Sequence, residues 1–201
     1  MSGPLVSLVL ATHNAHKVTE LRQILGAQLD GIDLMVYDGP EPVEDGDSFE
    51  ANALIKARAA SAHTGFAAIA DDSGIAVATL GGAPGINSAR YAGTRDDADN
   101  VRLLLTNLQG ADDRRAEFLC AAALVLPDGR ETVELSRWCG SVLLEPVGDG
   151  GFGYDPVFMP AGYGVSAAQL HPDEKNIISH RARAFEALMP TVRQLLLGQP
   201  T

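Results

Sequence analysis

Asp71 and Asp72 stand side by side in Ala70-Asp71-Asp72-Ser73-Gly74, between the short apolar runs 67–70 and 75–77. Two carboxylates at the mouth of a buried strand are costly, because like charges repel and burial disfavours the ionised form. A divalent cation relieves both costs, since hard cations take carboxylate oxygens, and Gly74 offers the backbone a sharp turn. The stretch therefore predicts a metal-dependent site on Asp71 and Asp72. The plain alternative is a strand-end turn with solvated aspartates. Of the 15 basic residues only Lys17, Lys56 and Lys175 are lysines. A compact ammonium on a flexible stem does work that a planar guanidinium fork does not, and each of the three lies in a stretch that is unusual for other reasons.

Those stretches carry groups that could share one chemistry. Thr12-His13-Asn14-Ala15-His16-Lys17 is a polar hexapeptide between apolar runs. As a strand-to-helix loop it would offer an anion free N–H groups and the positive end of a helix dipole, with Lys17 adding a full charge. It lacks the glycine spacing of a Walker A loop, and Asn14 could serve only as a helix cap. Phe49, Asn52 and Lys56 share one helix face, either lining a cleft or lying on the surface. In Gly148-Asp149-Gly150-Gly151-Phe152-Gly153-Tyr154-Asp155-Pro156, glycine permits close backbone approach to a ligand. Phe152 and Tyr154 could stack on a flat ring there, or simply anchor the loop. Lys175, His180 and Arg181 could donate hydrogen bonds to a carbonyl or phosphate oxygen, or open a helix. Glu44, in the acidic loop 38–47, is a candidate second-site carboxylate.

The elements that must position these groups follow from hydrophobic periodicity. Residues 5–11 read as a buried strand, and a helix with a Val18, Leu21, Ile24, Leu25 stripe follows Lys17. Residues 32–37 form a second strand. Residues 48–63 form a helix with Ser48 as N-cap and Gly65 as its C′ residue. The loop 80–93 is glycine-rich, yet Ile86 and Tyr91 give it something to bury, and Arg90 is read as pinning it. Residues 96–108 are amphipathic. Strands 116–126 and 131–142 flank Pro127-Asp128-Gly129-Arg130, a hairpin signal. A strand resumes at Val157-Phe158, and a helical turn covers 167–171. The last helix buries Phe185, Leu188, Val192 and Leu195, with Pro190 expected to kink or interrupt it.

The 201 residues, 46% of them hydrophobic, allow a sizeable core in one large or two small domains. A net charge of −11 argues against a broad nucleic-acid-binding face, but not against an anionic substrate held by a local cluster of cations and a metal. No run approaches the roughly 18 to 20 apolar residues of a membrane span, and the first residues lack the basic segment of a signal peptide. A cytoplasmic protein is expected. Cys120 and Cys139 form no CxxC pair, which argues against zinc. Both read as small core residues.

Taken together, the motifs resemble those of the noncanonical purine NTP pyrophosphatases, the inosine/xanthosine triphosphatase or Ham1/RdgB-like family. Thr12–Lys17 is similar to the family's (S/T)xNxxK loop, and Phe49 to Lys56 to its FxxNAxxKA helix. The longest signature is matched by 70–74 with Gly81-Gly82-Ala83-Pro84-Gly85 and Ser88-Ala89-Arg90-Tyr91. Gly151-Phe152-Gly153-Tyr154-Asp155-Pro156 and Ser179-His180-Arg181 complete it. His13 and His16 depart from the small residues frequent in the first loop. Glu50 is displaced by one position from the glutamate that many relatives carry beside Asn52.

The resemblance implies an α/β fold: an elongated mixed sheet flanked by helices, one domain over 1–201 whose two lobes enclose an active-site cleft, usually as a homodimer. It implies Mg²⁺-dependent hydrolysis of ITP, dITP and XTP to the monophosphate and pyrophosphate, cleansing the nucleotide pool. Asp72 would be the general base and a metal neighbour, with Asp71 and Glu44 helping to place Mg²⁺. Thr12, His13, Asn14, Ala15, His16, Lys17, Lys56 and Ser73 would bind the substrate, with Asn14, Lys17 and Lys56 stabilising charge on its phosphates. Phe152 and Tyr154 would pack near the base with Gly153 beside them, Asp155 would orient the loop or hydrogen-bond the base, and Lys175, His180 and Arg181 would read its 6-keto edge. Two other readings stay open: a Maf-like pyrophosphatase for modified pyrimidine nucleotides, and a non-catalytic nucleotide-binding module.

Overall fold

A computed structural model describes residues 5–198. Its strands are β1 (Val6–Leu10), β2 (Ile32–Val36), β3 (Ala67–Val77), β4 (Arg115–Val125), β5 (Glu131–Val142) and β6 (Phe158–Pro160). Its helices are α1 (Ala15–Leu25), α2 (Phe49–Thr64), α3 (Asp97–Asn107), α4 (Pro172–Ile178) and α5 (His180–Leu197). The sheet order is β2-β1-β3-β4-β5-β6. Strand β1 runs parallel to β2 and β3, whereas β5 and β6 are antiparallel, so the sheet is mixed.

Two compact units divide the chain. The first takes the residues up to Asp72, then Cys120–Ser136, then those from Arg181 onward. The second takes Ser73–Leu119 and Arg137–His180. In the first unit, Leu8, Val9 and Leu10 are all buried, as an interior parallel strand covered on both faces requires. Leu8, Leu10 and Ile69 form a core with Leu21 and Leu25 of α1 and with Phe185, Leu188 and Val192 of α5. Ser48 caps α2 by accepting from the Ala51 N–H, and Gly65 ends it at φ 73°, where a side chain would be strained. Pro190 does not interrupt α5. It lies on the exposed face, where water can satisfy the carbonyl whose helical N–H partner proline removes.

In the second unit, Ile75 and Val77 pack with Val101 and Leu104 of α3, with Phe118 and Trp138, and with Phe158. The expected turn at Gly74 is absent: β3 is continuous from Ala67 to Val77, and the two aspartates lie within the strand rather than at its mouth. Gly74 is needed for close approach instead. A Cβ there would overlap Ser88 Oγ and stand 2.6 Å from the Gly85 carbonyl, at the point where Ser88 Oγ accepts from the Ile75 N–H at 2.9 Å. Gly74→Ala should therefore cost about 1–3 kcal/mol by overpacking, lowering Tm by roughly 5 °C in a thermal melt. An unchanged Tm would refute the close-approach role. The loop after β3 is shaped by two 3-10 turns, Ala78–Leu80 and Gly85–Arg90. Residues 155–157 are likewise a 3-10 turn, so β6 starts at Phe158 rather than Val157.

Candidate active site

Successive residues of a strand point to opposite faces, and this divides the acidic pair. Asp71 shares a face with Ile69 and hence with α1 and α5. Its Oδ2 accepts from Lys17 Nζ at 2.8 Å and from Arg181 Nε at 3.2 Å, with Cys120 Sγ at 3.9 Å. Arg181 also pairs with Glu20 of α1. Burial alone would raise the Asp71 pKa, but Lys17, Arg181 and Lys56 overcome it and hold the carboxyl far below the usual range. Its Oδ1 is buried with no hydrogen-bond partner among the described residues. The neighbouring Cys120 thiol is pushed up by burial and then by the Asp71 charge, which leaves it an inert core group.

Asp72 takes its partners from α2 and the loop before it. Lys56 Nζ donates to Asp72 Oδ1 at 3.1 Å and to Glu44 Oε2 at 2.9 Å, and Asn52 Nδ2 donates to Asp72 Oδ2 at 3.3 Å. Burial raises the Asp72 pKa. Lys56 and Lys17 oppose this, the neighbouring Glu44 charge adds to it by repulsion, and the net direction is upward. Burial would lower Lys56, but Asp72, Asp71 and Glu44 together raise it. The result is a carboxylate readier to accept a proton than an ordinary aspartate, beside an ammonium that stays charged.

The first loop is organised by its own side chains. Thr12 Oγ1 accepts from the Asn14 N–H at 3.2 Å, and Asn14 Oδ1 caps α1 by accepting from the N–H groups of His16 and Lys17. Ala15 and His16 are exposed at the helix start, and Ser73 is half-buried beside Asp72. Among the residues that could hold a metal, Glu44 and Asp72 already converge on one cationic centre, the Lys56 ammonium, and Asp71 Oδ1 is an oxygen without a partner. No three His, Cys, Asp or Glu side chains form a ready metal cage among the described residues. Mg²⁺ is commonly bound by one or two carboxylates plus waters and substrate phosphates, so this donor set fits it and does not fit a structural zinc.

A second cluster lies in the second unit. Asp155 is buried, and its Oδ2 accepts from Lys175 Nζ at 2.6 Å and from the Phe152 N–H at 2.9 Å. A Cβ on Gly151 would overlap that oxygen. Asp97, at the start of α3, accepts from the Gly153 N–H at 2.7 Å. Lys175 Nζ stands 5.4 Å from the Phe152 ring centroid. Tyr154 is buried and donates its hydroxyl to the Ser88 carbonyl at 2.9 Å, so its ring anchors the loop from below. Its phenol pKa is raised, first by burial. The His180 ring stacks on Phe118 at 4.7 Å with 7° between planes.

The structure thus gathers Lys17, Asp71 and Arg181, then Lys56, Glu44 and Asp72, in the first unit. In the second it gathers Phe152, Gly153, Tyr154, Asp155 and Lys175. Arg181 Nε and Nη1 are directed at Asp71 and Glu20. Three contributors fell outside the sequence-derived site. Asn52 links Asp72 to the Glu44 loop by also accepting from the Gly46 N–H at 2.9 Å, and its four-residue spacing from Lys56 was the signal. Glu20, three residues after Lys17, had the same kind of signal. Asp97 had none.

Ammonium groups paired with carboxylates on an α/β sheet can hold charge on a phosphorylated ligand. The chain belongs to the Ham1 family, whose model matches residues 8–191. It is 54% identical over 194 residues to a dITP/XTP pyrophosphatase of Leifsonia xyli subsp. xyli, covering 95% of this chain and 98% of that one. Among solved structures, a HAM1 protein from Coxiella burnetii superposes with a TM-score of 0.85 at 39% identity, covering 94% of this chain and all 100% of that one. A nucleoside-triphosphatase / dITP/XTP pyrophosphatase from Mycobacterium abscessus gives a TM-score of 0.74 at 45% identity, covering 94% and 100%.

Proposed function

We propose that this protein hydrolyses deaminated purine nucleoside triphosphates (ITP, dITP and XTP) to the monophosphate and pyrophosphate, with both units serving one catalytic domain. It acts in the cytoplasm as a homodimer and removes these nucleotides before polymerases use them. The observation that carries the reading is Asp72, a carboxylate with a raised pKa held between Lys56 and Asn52. Family membership and the pyrophosphatase relatives support the same chemistry. No helix among the described residues is long and apolar enough to cross a membrane.

Asp72 takes the proton of a water whose oxygen bonds to the α-phosphorus, and the bond from that phosphorus to the bridging oxygen breaks with pyrophosphate leaving. Lys17 and Lys56 hold charge on the phosphates, the positioning and electrostatic strategy general to phosphoryl transfer. Glu44 and Asp72 would hold Mg²⁺, which would supply charge neutralisation of the phosphate oxygens, while Asp71 faces Lys17 and Arg181 on the other side of β3. Phe152 offers a face to the base, and Lys175 and His180 supply donors for a 6-keto oxygen. Such donors are left unpaired by the 6-amino group of adenine, which is the costly kind of mismatch. Arg181 assists indirectly, by fixing Asp71.

Purified protein with Mg²⁺ should convert ITP to IMP and pyrophosphate, with kcat/KM at least about a hundredfold above that for ATP. Orthophosphate as the product would overturn attack at the α-phosphorus. Preference for methylated pyrimidine triphosphates would favour the Maf-like reading, and tight binding without turnover would favour the silent module.

A further inference from the structure

His13 departs from the small residues of the family's first loop, and its surroundings give that departure a purpose. Its Nε2 lies 3.0 Å from the Gly39 carbonyl. A carbonyl only accepts, so Nε2 carries the proton and donates. The same imidazole meets the Tyr37 ring edge-on, with centroids 5.7 Å apart. Tyr37 is buried directly after β2, and its backbone N–H donates to the Leu10 carbonyl at the end of β1. Its hydroxyl lies 3.3 Å from the Pro40 carbonyl and 3.2 Å from His63 Nδ1 of α2. Both contacts are hydrogen bonds at once only if the phenol donates to Pro40 and His63 Nδ1–H donates to the phenol oxygen. Gly39 is fitted to this ring: a Cβ on it would overlap the phenol hydroxyl and stand 2.5 Å from Cζ.

We infer that His13 is a positioning residue that latches the loop 12–17 to the loop 38–47. The first loop delivers Lys17 to Asp71, and the second delivers Glu44 to the ammonium shared with Asp72. The latch therefore sets the spacing between the two halves of the charge cluster. His13 acts through Gly39 and Tyr37 rather than on a phosphate directly. The contact is exposed to water, so its effect is that of one modest hydrogen bond, about fivefold in an equilibrium constant. The kinetic part of the inference rests on the function proposed above.

His13→Leu removes the donor and keeps bulk, and His13→Gln restores a donor at a similar reach. Amide hydrogen exchange over residues 38–47, followed by mass spectrometry, should be about fivefold faster in His13→Leu and near wild-type in His13→Gln. KM for ITP should rise about fivefold in His13→Leu with kcat within twofold, and His13→Gln should restore it. Unchanged exchange in His13→Leu would overturn the latch, as would faster exchange with an unmoved KM. Failure of His13→Gln to restore KM would indicate a direct charge contact and also overturn it. A failure of the proposed function is distinguishable, because it would appear as wild-type protein that does not turn over ITP.

Discussion

Asp72→Asn is expected to lower kcat by about 10²- to 10⁴-fold, the usual contribution of a positioned general base, with little change in KM. Asparagine keeps the shape and its oxygen can still accept from Lys56, but its amide NH2 cannot accept from Asn52 and it cannot take a proton at neutral pH. The fold should not suffer. Burial pushes the Asp72 pKa up despite Lys56, so the folded protein holds the charged form at a cost, and a neutral side chain removes that cost. Thermal stability should therefore stay within about 1 kcal/mol of wild type or rise slightly. The raised pKa also fixes the sign of the pH dependence. A base must be ionised, so wild-type kcat/KM should fall on the acid side at a higher pH than an ordinary aspartate would give. Near-normal kcat in Asp72→Asn would remove Asp72 from the base role. A lost kcat together with a collapsed Tm would mean a structural role instead.

Much of this arrangement is legible in the sequence, for reasons that differ by element. The caps at Asn14 and Ser48 and the C′ glycine at 65 are local signals, and the structure places them as expected. Pairing a strand-end loop with α1, and Asn52 with Lys56, needs only helical spacing. What local signals do not carry is strand parity. Asp71-Asp72 looks like a matched pair, yet one step along β3 sends the two carboxylates to different helices. Gly74 looks like a turn residue because glycine is most often explained by backbone freedom, whereas here it answers the side chain of Ser88 fourteen residues on. Arg181 sits beside His180 in sequence, but it enters the α1–α5 core through Asp71 and Glu20. That is a non-local partnership that no spacing rule announces. The bond from the Tyr154 hydroxyl to the Ser88 carbonyl is non-local in the same way.

Asp71→Asn should behave in the opposite way from its neighbour, and stability is where the difference will be largest. The Asp71 carboxylate is buried and meets Lys17 and Arg181 within 3.2 Å. Removing its charge leaves two cations with less compensation in a site that excludes water, and breaking a buried pair in this way costs about 3–5 kcal/mol. For a chain of this size that corresponds to roughly 10 °C in Tm. The sign with pH follows from linkage. The folded-state pKa lies below the unfolded value of about 3.9, so the stabilisation is fully present above that unfolded value and is lost as pH falls through the folded one. Thermal melts between pH 5 and 8 should therefore show a constant deficit in Asp71→Asn. The gap to wild type should begin to narrow below about pH 4, where the unfolded carboxylate takes up protons, and go on narrowing as pH falls toward the lowered folded-state pKa. Adding Arg181→Met to Asp71→Asn should cost less than the two single losses combined, because each change removes the other's unpaired charge. A deficit of under about 1 kcal/mol in the single variant, or strict additivity in the double, would show that Asp71 is not the anchor of this side of the sheet.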